Sequence, residues 1–293
     1  MRHARLLVIA AATVPLLALA QQDFSKVEVK TTPLCGGTHL LSGAGGNVVA
    51  SVGDEGVFII DDQFAPLTGK ILGALAKLSD KPLRFVLNTH WHGDHTGGNE
   101  NLGKAGSVIV AHDNVRKRMG AGQMLRGDKV PPAARNALPV VTFASDLSLH
   151  LNGDDVRVWH VAHAHTDGDA LVKFEKANVL HMGDIYFNGL YPFIDAESGG
   201  SIGGFLAAID RGLALSDADT VVVPGHGPVS NRSELAAYGA MLKDYRDRIA
   251  ALKREGKSLK DVIALKPTAA TDEQLGKAFI KPAELVTAIY KTL

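Results

Sequence analysis

Between Asn88 and Asn99 the chain reads Asn-Thr-His-Trp-His-Gly-Asp-His-Thr-Gly-Gly-Asn, so His90, His92, Asp94 and His95 fall within six consecutive residues. Imidazole and carboxylate are the side chains that divalent metals take up, and their density here points to a metal site. His90 and His92 are two apart, so on an extended backbone they point to the same side and can share one ion. Asp94 and His95 lie beyond the bend at Gly93, which places them better for a second ion. Just before them, Leu83 to Leu87 is a short apolar run that reads as a buried strand delivering the ligands at its C-terminal end.

Three later stretches repeat this arrangement of strand and ligand loop. Val156 to Val161 leads to His163 and His165, Val179 to His181 leads to Asp184, and Thr220 to Val223 leads to His226 inside Pro-Gly-His-Gly-Pro. The pair His90-Trp91-His92-Gly93-Asp94 and His163-Ala164-His165-Thr166-Asp167 is a short internal echo. It suggests two strand-helix units facing each other, each supplying a loop of ligands.

The elements that must hold these loops come in a regular order. Val27-Glu28-Val29, Thr38 to Leu41, Asn47 to Val52 and Gly56 to Ile60 read as an antiparallel meander. Ser42-Gly43-Ala44-Gly45-Gly46, between the second and third of them, reads as a mobile flap over a site. Pro66 to Leu78 has helical spacing, Val108 to Val110 is a strand and Asp113 to Met119 a short helix. The segment 120–139 is rich in Gly, Pro and charge and reads as a surface loop forming one wall of a pocket. Strands resume at Leu147 to Leu151, Val156 to Val161, Ala170 to Phe174 and Val179 to His181, with a hairpin turn at Asn152-Gly153-Asp154. A helix over Gly203 to Leu215 precedes the strand Thr220 to Val223. Helices over Arg232 to Glu255, Leu259 to Leu265 and Pro282 to Leu293 close the chain.

Composition sets the compartment and the partners. Of 293 residues, 46% are hydrophobic and 21% charged, a globular balance with enough apolar residues for one large core. Arg2 and Arg5 precede an apolar run from Leu6 to Ala20, which has the form of a secretory leader cut after Ala20. The reading is a leader over 1–20, a single domain over 21–293 and a periplasmic or secreted product that no longer touches a membrane. Without Arg2 and Arg5, 29 basic residues face 31 acidic ones, a charge near −2 that does not attract nucleic acid. The expected partner is a small-molecule substrate. Cys35 is the single cysteine, so an intrachain disulfide and a cysteine-rich zinc site are excluded, and it reads as a buried, inert thiol.

Taken in order, H-x-H-x-D-H, then His-Thr, Gly-Asp and Pro-Gly-His, the chain resembles the metallo-β-lactamase superfamily of metal-dependent hydrolases. The resemblance spans essentially the whole chain after the leader. It implies an α/β fold, a four-layer αββα sandwich of two mixed sheets flanked by helices with the site along one edge, and additional C-terminal helices over about 231–293. It further implies two zinc ions: His90, His92 and His165 on the first, Asp94, His95 and His226 on the second, and Asp184 bridging. His163 is the alternative to His165, which is favoured because Thr166-Asp167-Gly168-Asp169 follows it in the family's register. Asp61, with Asp62 as the alternative, corresponds to an aspartate that orients a ligating imidazole through its other nitrogen. His39, His112, His150, His160 and His181 match no ligand.

Two zinc ions about 3.5–4 Å apart polarise a carbonyl and lower the pKa of water from 15.7 to about 7, so no serine or cysteine nucleophile is required. The implied chemistry is attack of metal-bound hydroxide on the carbonyl of a cyclic amide or ester, a β-lactam or lactone, with Asp184 and Asp94 as the catalytic carboxylates. Thioester hydrolysis of the glyoxalase II type is the alternative, though an export leader argues against an intracellular glutathione thioester. Iron redox chemistry is opposed by His92, where flavodiiron proteins carry glutamate. A non-catalytic periplasmic partner is opposed by the complete ligand set. Tyr186, Asn188 and Tyr191, which follow Asp184, are the candidate pocket residues.

Overall fold

The computed structural model describes residues 23–293, and the expected leader and its cleavage after Ala20 lie outside them. In the first half, β1 (Lys30–Pro33), β2 (Thr38–Ser42), β3 (Val48–Gly53) and β4 (Gly56–Ile60) form an antiparallel meander. β5 (Leu83–Leu87) and β6 (Val108–His112) then add in parallel. A separate hairpin of β7 (Gln123–Leu125) and β8 (Asp128–Val130) follows, and β9 (Val141–Phe143) completes the first sheet beside β6. In the second half, β10 (Asp146–Leu151), β11 (Asp154–His160), β12 (Ala170–Phe174) and β13 (Val179–His181) run antiparallel. β14 (Val221–Val223) joins β13 in parallel, and the short β15 (Ser230–Asn231) closes the second sheet.

The two sheets pack face to face, and the period of two within each strand decides which residues meet. In β4, Phe58 and Ile60 face the other sheet while Val57 and Ile59 face outward. Phe58 stacks on Phe174 of β12 across the interface, with ring centroids 5.5 Å apart. Val57 and Ile59 pack under Ile71 and Leu75 of α1 (Thr68–Leu75). The outer face of the second sheet is covered by α5 (Ile202–Ala214), α6 (Arg232–Arg254) and α9 (Pro282–Thr292), through Phe205, Ile209, Leu242 and Ile289. Strands covered on both faces read as continuous apolar runs. The result is the αββα sandwich that the motifs imply, and the ligand loops all open at one edge of it.

Several elements differ from the sequence reading. Val27 and Val29 form no strand: they lie against the α1 layer, where Lys70 Nζ bonds the carbonyls of Phe24, Ser25 and Val27, and pairing begins only at Lys30. The segment 120–139 is not all loop, because it holds β7, β8 and a 3-10 turn at Arg135–Ala137. The helices α3 (Asn99–Lys104) and α8 (Ala269–Leu275) and the strand β9 fall outside the sequence reading, while α4 (Asp113–Ala121) and α7 (Leu259–Ala264) lie where it expects helices. Cys35 is exposed rather than buried. It sits in the β1–β2 turn, where Gly36 rather than the thiol packs onto Ala177.

Candidate metal centre

Four loops converge at the edge where β5, β11, β13 and β14 end. The loop after β5 carries His90 and His92, then runs into the one-turn helix α2 (Gly93–Thr96) that holds Asp94 and His95. His165 lies in the loop between β11 and β12, Asp184 in a 3-10 turn after β13, and His226 after β14. These side chains form two clusters of potential ligands, His90, His92, His165 and Asp184 in one, and Asp94, His95 and His226 in the other.

Asp184 stands between the clusters. Its Oδ2 is 3.8 Å from His90 Nε2 and 3.6 Å from His165 Nε2, while its Oδ1 is 3.1 Å from His95 Nε2 and 3.4 Å from His226 Nε2. One carboxylate oxygen therefore faces each cluster. Asp94 Oδ2 closes the second cluster, 3.2 Å from His226 Nε2 and 3.5 Å from His95 Nε2.

Four of the five imidazoles are oriented from behind. His95 donates Nδ1–H to Asp61 Oδ2 at 2.8 Å, and His165 donates Nδ1–H to the Phe193 carbonyl at 2.7 Å. His90 donates Nδ1–H to the Thr89 hydroxyl at 3.0 Å, and that hydroxyl donates to Asp61 Oδ2 at 2.8 Å. Asp61, just past β4 at φ +61°, thus fixes one ligand directly and another through Thr89. Asp62 turns away and accepts from Gly98 N at 2.8 Å. His92 is reversed: its Nε2–H bonds Asp195 Oδ2 at 3.0 Å, so Nδ1 faces the centre.

These tautomers leave bare lone pairs pointing at one another. His92 Nδ1 and His165 Nε2 are 2.9 Å apart, a repulsive contact unless a cation lies between them. Among the described residues His90 Nε2 and Asp184 Oδ1 are buried without a hydrogen-bond partner, and such atoms are costly unless something satisfies them. Burial pushes His165 down to about 4 and His90 well below the usual range, so both are neutral imidazoles, the form that binds metal. For His226 burial opposes the charge, but the Asp184 carboxylate outweighs it and raises the pKa to about 9. Burial likewise opposes the charge on His95, and Asp184, Asp94 and Asp61 outweigh it. A mixed nitrogen and oxygen donor set, with the Asp184 carboxylate between the clusters and the Asp94 carboxylate in the second, fits two dications.

His163 lies outside both clusters, at φ +54°, with its ring on the Gly199 carbonyl. The Thr-Asp-Gly-Asp that follows His165 explains why that histidine is the one presented. Thr166 donates its N–H and hydroxyl to Asp169 at 2.7 and 2.5 Å, and Asp167 turns outward to a two-pronged pair with Arg118. The echo between the halves therefore extends to one histidine, since Asp167 has no part in the centre. We expect His165→Ala to lower first-site metal affinity and His163→Ala to leave it near the native value; a metal titration that ranks them in reverse would overturn the assignment.

The loop 42–46 borders the centre, but it is held rather than free. Gly46 N bonds the Asp94 carbonyl, Gln63 Nε2 bonds the Gly46 carbonyl, and Asn47 clips the Pro224 and Gly227 carbonyls of the His226 loop. Its glycines serve close approach to His95 and Asp94 instead of motion.

In front of the centre lies a cavity of about 410 Å³ with walls from Phe64, Leu125, Phe187, Leu190, Phe193 and Phe279. Leu125 and Arg126, from the β7–β8 hairpin, supply the wall expected of that segment. Of the three candidate pocket residues, Tyr191 lines the cavity by its ring, with its hydroxyl bonded to Thr271 and Asp272 behind it. Tyr186 and Asn188 do not line it. The 3-10 turn at Gly183–Ile185 sends the Tyr186 ring into the helical layer, where its hydroxyl meets Ser230, and Asn188 bonds the Pro228 carbonyl at the rim.

Asp195 and Thr89 were missed in the sequence because neither belongs to a ligand motif. Asp195 also receives Ser198 N–H and, through its own backbone, bonds His165 and Gly200. Asp195→Asn should cost about 10–100-fold in first-site metal affinity. Unchanged affinity in a competition titration would show that His92 needs no partner.

The metallo-beta-lactamase superfamily model matches residues 41–226, more than half the chain and all seven potential ligands. The chain belongs to this superfamily. Among curated relatives, a hydroxyacylglutathione hydrolase from Polaromonas sp. is 28% identical over 168 residues, 57% of either chain. The alpha subunit of a 2,4-dinitroanisole O-demethylase from Nocardioides sp. is 24% identical over 54% of this chain and 47% of its own. The chain thus spans about half the length of these relatives. Among solved structures, a metallo-beta-lactamase from Pontibacter korlensis superposes with a TM-score of 0.63 at 20% identity, over 74% of this chain and 100% of that one. An inverting sec-alkylsulfatase from Pseudomonas sp. reaches 0.67 at 17% identity, over 90% of this chain and 50% of its own. At those identities the superfamily member and its neighbours share the fold. Among the described residues no helix is long and apolar enough to cross a membrane.

Proposed function

We propose that this superfamily member is a dinuclear zinc hydrolase that cleaves a carbonyl ester or cyclic amide of a small apolar substrate, and that it works outside the cytoplasm after loss of residues 1–20. The observation that carries the reading is Asp184, whose two oxygens each face a separate ligand cluster. His90, His92, His165 and Asp184 would hold one ion, and Asp94, His95, His226 and Asp184 the other. Zinc supplies Lewis acidity toward a carbonyl oxygen and makes water acidic enough to act as a nucleophile near neutral pH.

The chain's own part follows from position. Asp94 has a quarter of its side chain exposed to the cavity, whereas Asp184 is 5% exposed. Asp94 is therefore the ligand carboxylate that borders the space where a leaving group departs, and although burial opposes its charge, His95 and His226 outweigh that and keep it ionised. Phe187 lies flat on His226, with ring centroids 5.3 Å apart, and Phe193 packs on His92 and His165. These rings exclude water around the ligands and offer the substrate an apolar surface. At about 410 Å³ the cavity suits a small molecule.

A thioester substrate is the second reading, favoured by the hydroxyacylglutathione hydrolase relatives. Metal analysis with a panel of lactones, β-lactams, aryl esters and thioesters tests both. About two zinc per chain with hydrolysis of lactones or esters is expected. Zinc at one equivalent under saturation, or iron with oxygen-dependent turnover, would remove the dinuclear hydrolase reading. Thioester turnover above all others would promote the second.

A further inference from the structure

Among the described residues that line the cavity, Arg126 is the single lysine or arginine. It stands at the tip of the β7–β8 hairpin at φ +53°, followed by Gly127 at φ +87°, a turn that projects the side chain toward the C-terminal helices. The guanidinium lies 4.6 Å from the Phe279 ring centroid and 5.6 Å from that of Phe193. Its Nη2 bonds Glu284 Oε1 at 2.7 Å, and the side chain remains 37% exposed. A guanidinium has five donor hydrogens, and among the described residues this one uses a single partner. Arg126 also lines a second, outer cavity of about 490 Å³, bounded by Phe193, Ile280 and Glu284. With Phe193 it forms the shared wall between the space beside the metal centre and a space that opens outward.

From this placement we infer that Arg126 is a specificity-determining residue, which recognises a carboxylate carried by the substrate away from the bond being cleaved. The inference rests on the hydrolase reading. The inner cavity is aromatic and takes the apolar body. Phe187 on the far wall lies on His226 and presents no charge. A carboxylate reaching Arg126 finds a planar fork of free N–H donors already held by two rings, the geometry that pairs with a carboxylate through two parallel bonds. Glu284 is then a placeholder: it is 42% exposed and its Oε2 stays bonded to Lys281 N, so it can release the guanidinium while its helix cap remains.

Matched esters test this: 4-nitrophenyl hexanoate, and the mono-4-nitrophenyl ester of adipic acid, which has the same chain ending in a carboxylate. With zinc-loaded protein, Arg126→Gln should lower the ratio of kcat/KM for the adipyl over the hexanoyl ester about tenfold, mainly through KM. Glu284→Gln, which frees the guanidinium, should raise that ratio. If Arg126→Gln leaves it unchanged, or if both variants move it the same way, Arg126 is a latch for the hairpin and the inference falls. A parallel calorimetric titration with adipamic acid against hexanamide needs no turnover. Tighter binding of the acid to the native protein than to Arg126→Gln supports the assignment, and equal binding overturns it. If neither ester is cleaved, the aryl-ester part of the hydrolase reading fails by itself and the titration still decides Arg126.

Discussion

Asp184→Asn should lower the zinc stoichiometry from two to one and cut hydrolysis by at least about 100-fold, more than loss of a single orienting partner costs. Asparagine keeps the size and shape of the side chain, so the effect isolates charge and donor type. Oδ1 lies 3.1 and 3.4 Å from His95 and His226 Nε2, and Oδ2 lies 3.6 and 3.8 Å from His165 and His90 Nε2. A carboxamide can turn its oxygen to one pair only, and its NH2 then meets the other. The native carboxylate is also held well below the usual range, because although burial opposes its charge, His226 and His95 outweigh that cost. Nor can the side chain move aside, since the Gly225 backbone crosses so close that a Cβ there would sit 2.1 Å from Oδ1. Metal analysis and rates on one ester decide it. Two zinc and a near-native rate in the variant would mean that Asp184 does not join the clusters.

The seven potential ligands were legible because each sits in a short motif directly after an apolar strand, and strands that end at one sheet edge deliver their loops to one place. The residues behind the ligands were not. Asp195 is a lone aspartate in an irregular loop, and only the folded chain brings it 3.0 Å from His92. Arg126 and Phe279 lie 153 positions apart and meet through the packing of the hairpin on the last helices. Tyr186 failed as a pocket residue because nearness to Asp184 in sequence says nothing about direction, which the 3-10 turn at Gly183–Ile185 sets. Period-two apolar runs located the central strands well. They misled at Val27 to Val29, where the same alternation packs on a helix without pairing, and β9 and α8 are short elements with weak patterns of their own.

Gly46→Ala should remove the second metal and destabilise the fold, although glycine and alanine differ by one methyl. A Cβ at position 46 would lie 2.1 Å from His95 Cε1 and 2.6 Å from both ring nitrogens. Neither side of that contact can yield easily. His95 is fully buried and tied to Asp61 at 2.8 Å, while the Gly46 backbone is bonded through N to Asp94 and through O to Gln63 Nε2. Overpacking of this kind costs about 1–3 kcal/mol, and the cheapest relief is to turn His95 out of the second cluster. Gly73→Ala is the control: it lies within α1, and a Cβ there meets nothing within 4 Å. That substitution should raise stability by about 0.5–1 kcal/mol, because alanine loses less backbone freedom in a helix. Thermal unfolding of the two variants should therefore move in opposite directions, and zinc titration should show a lost site in Gly46→Ala alone. If Gly46→Ala keeps two zinc ions and native stability, the loop 42–46 has the freedom of a flap after all, and the close approach to His95 does not constrain it.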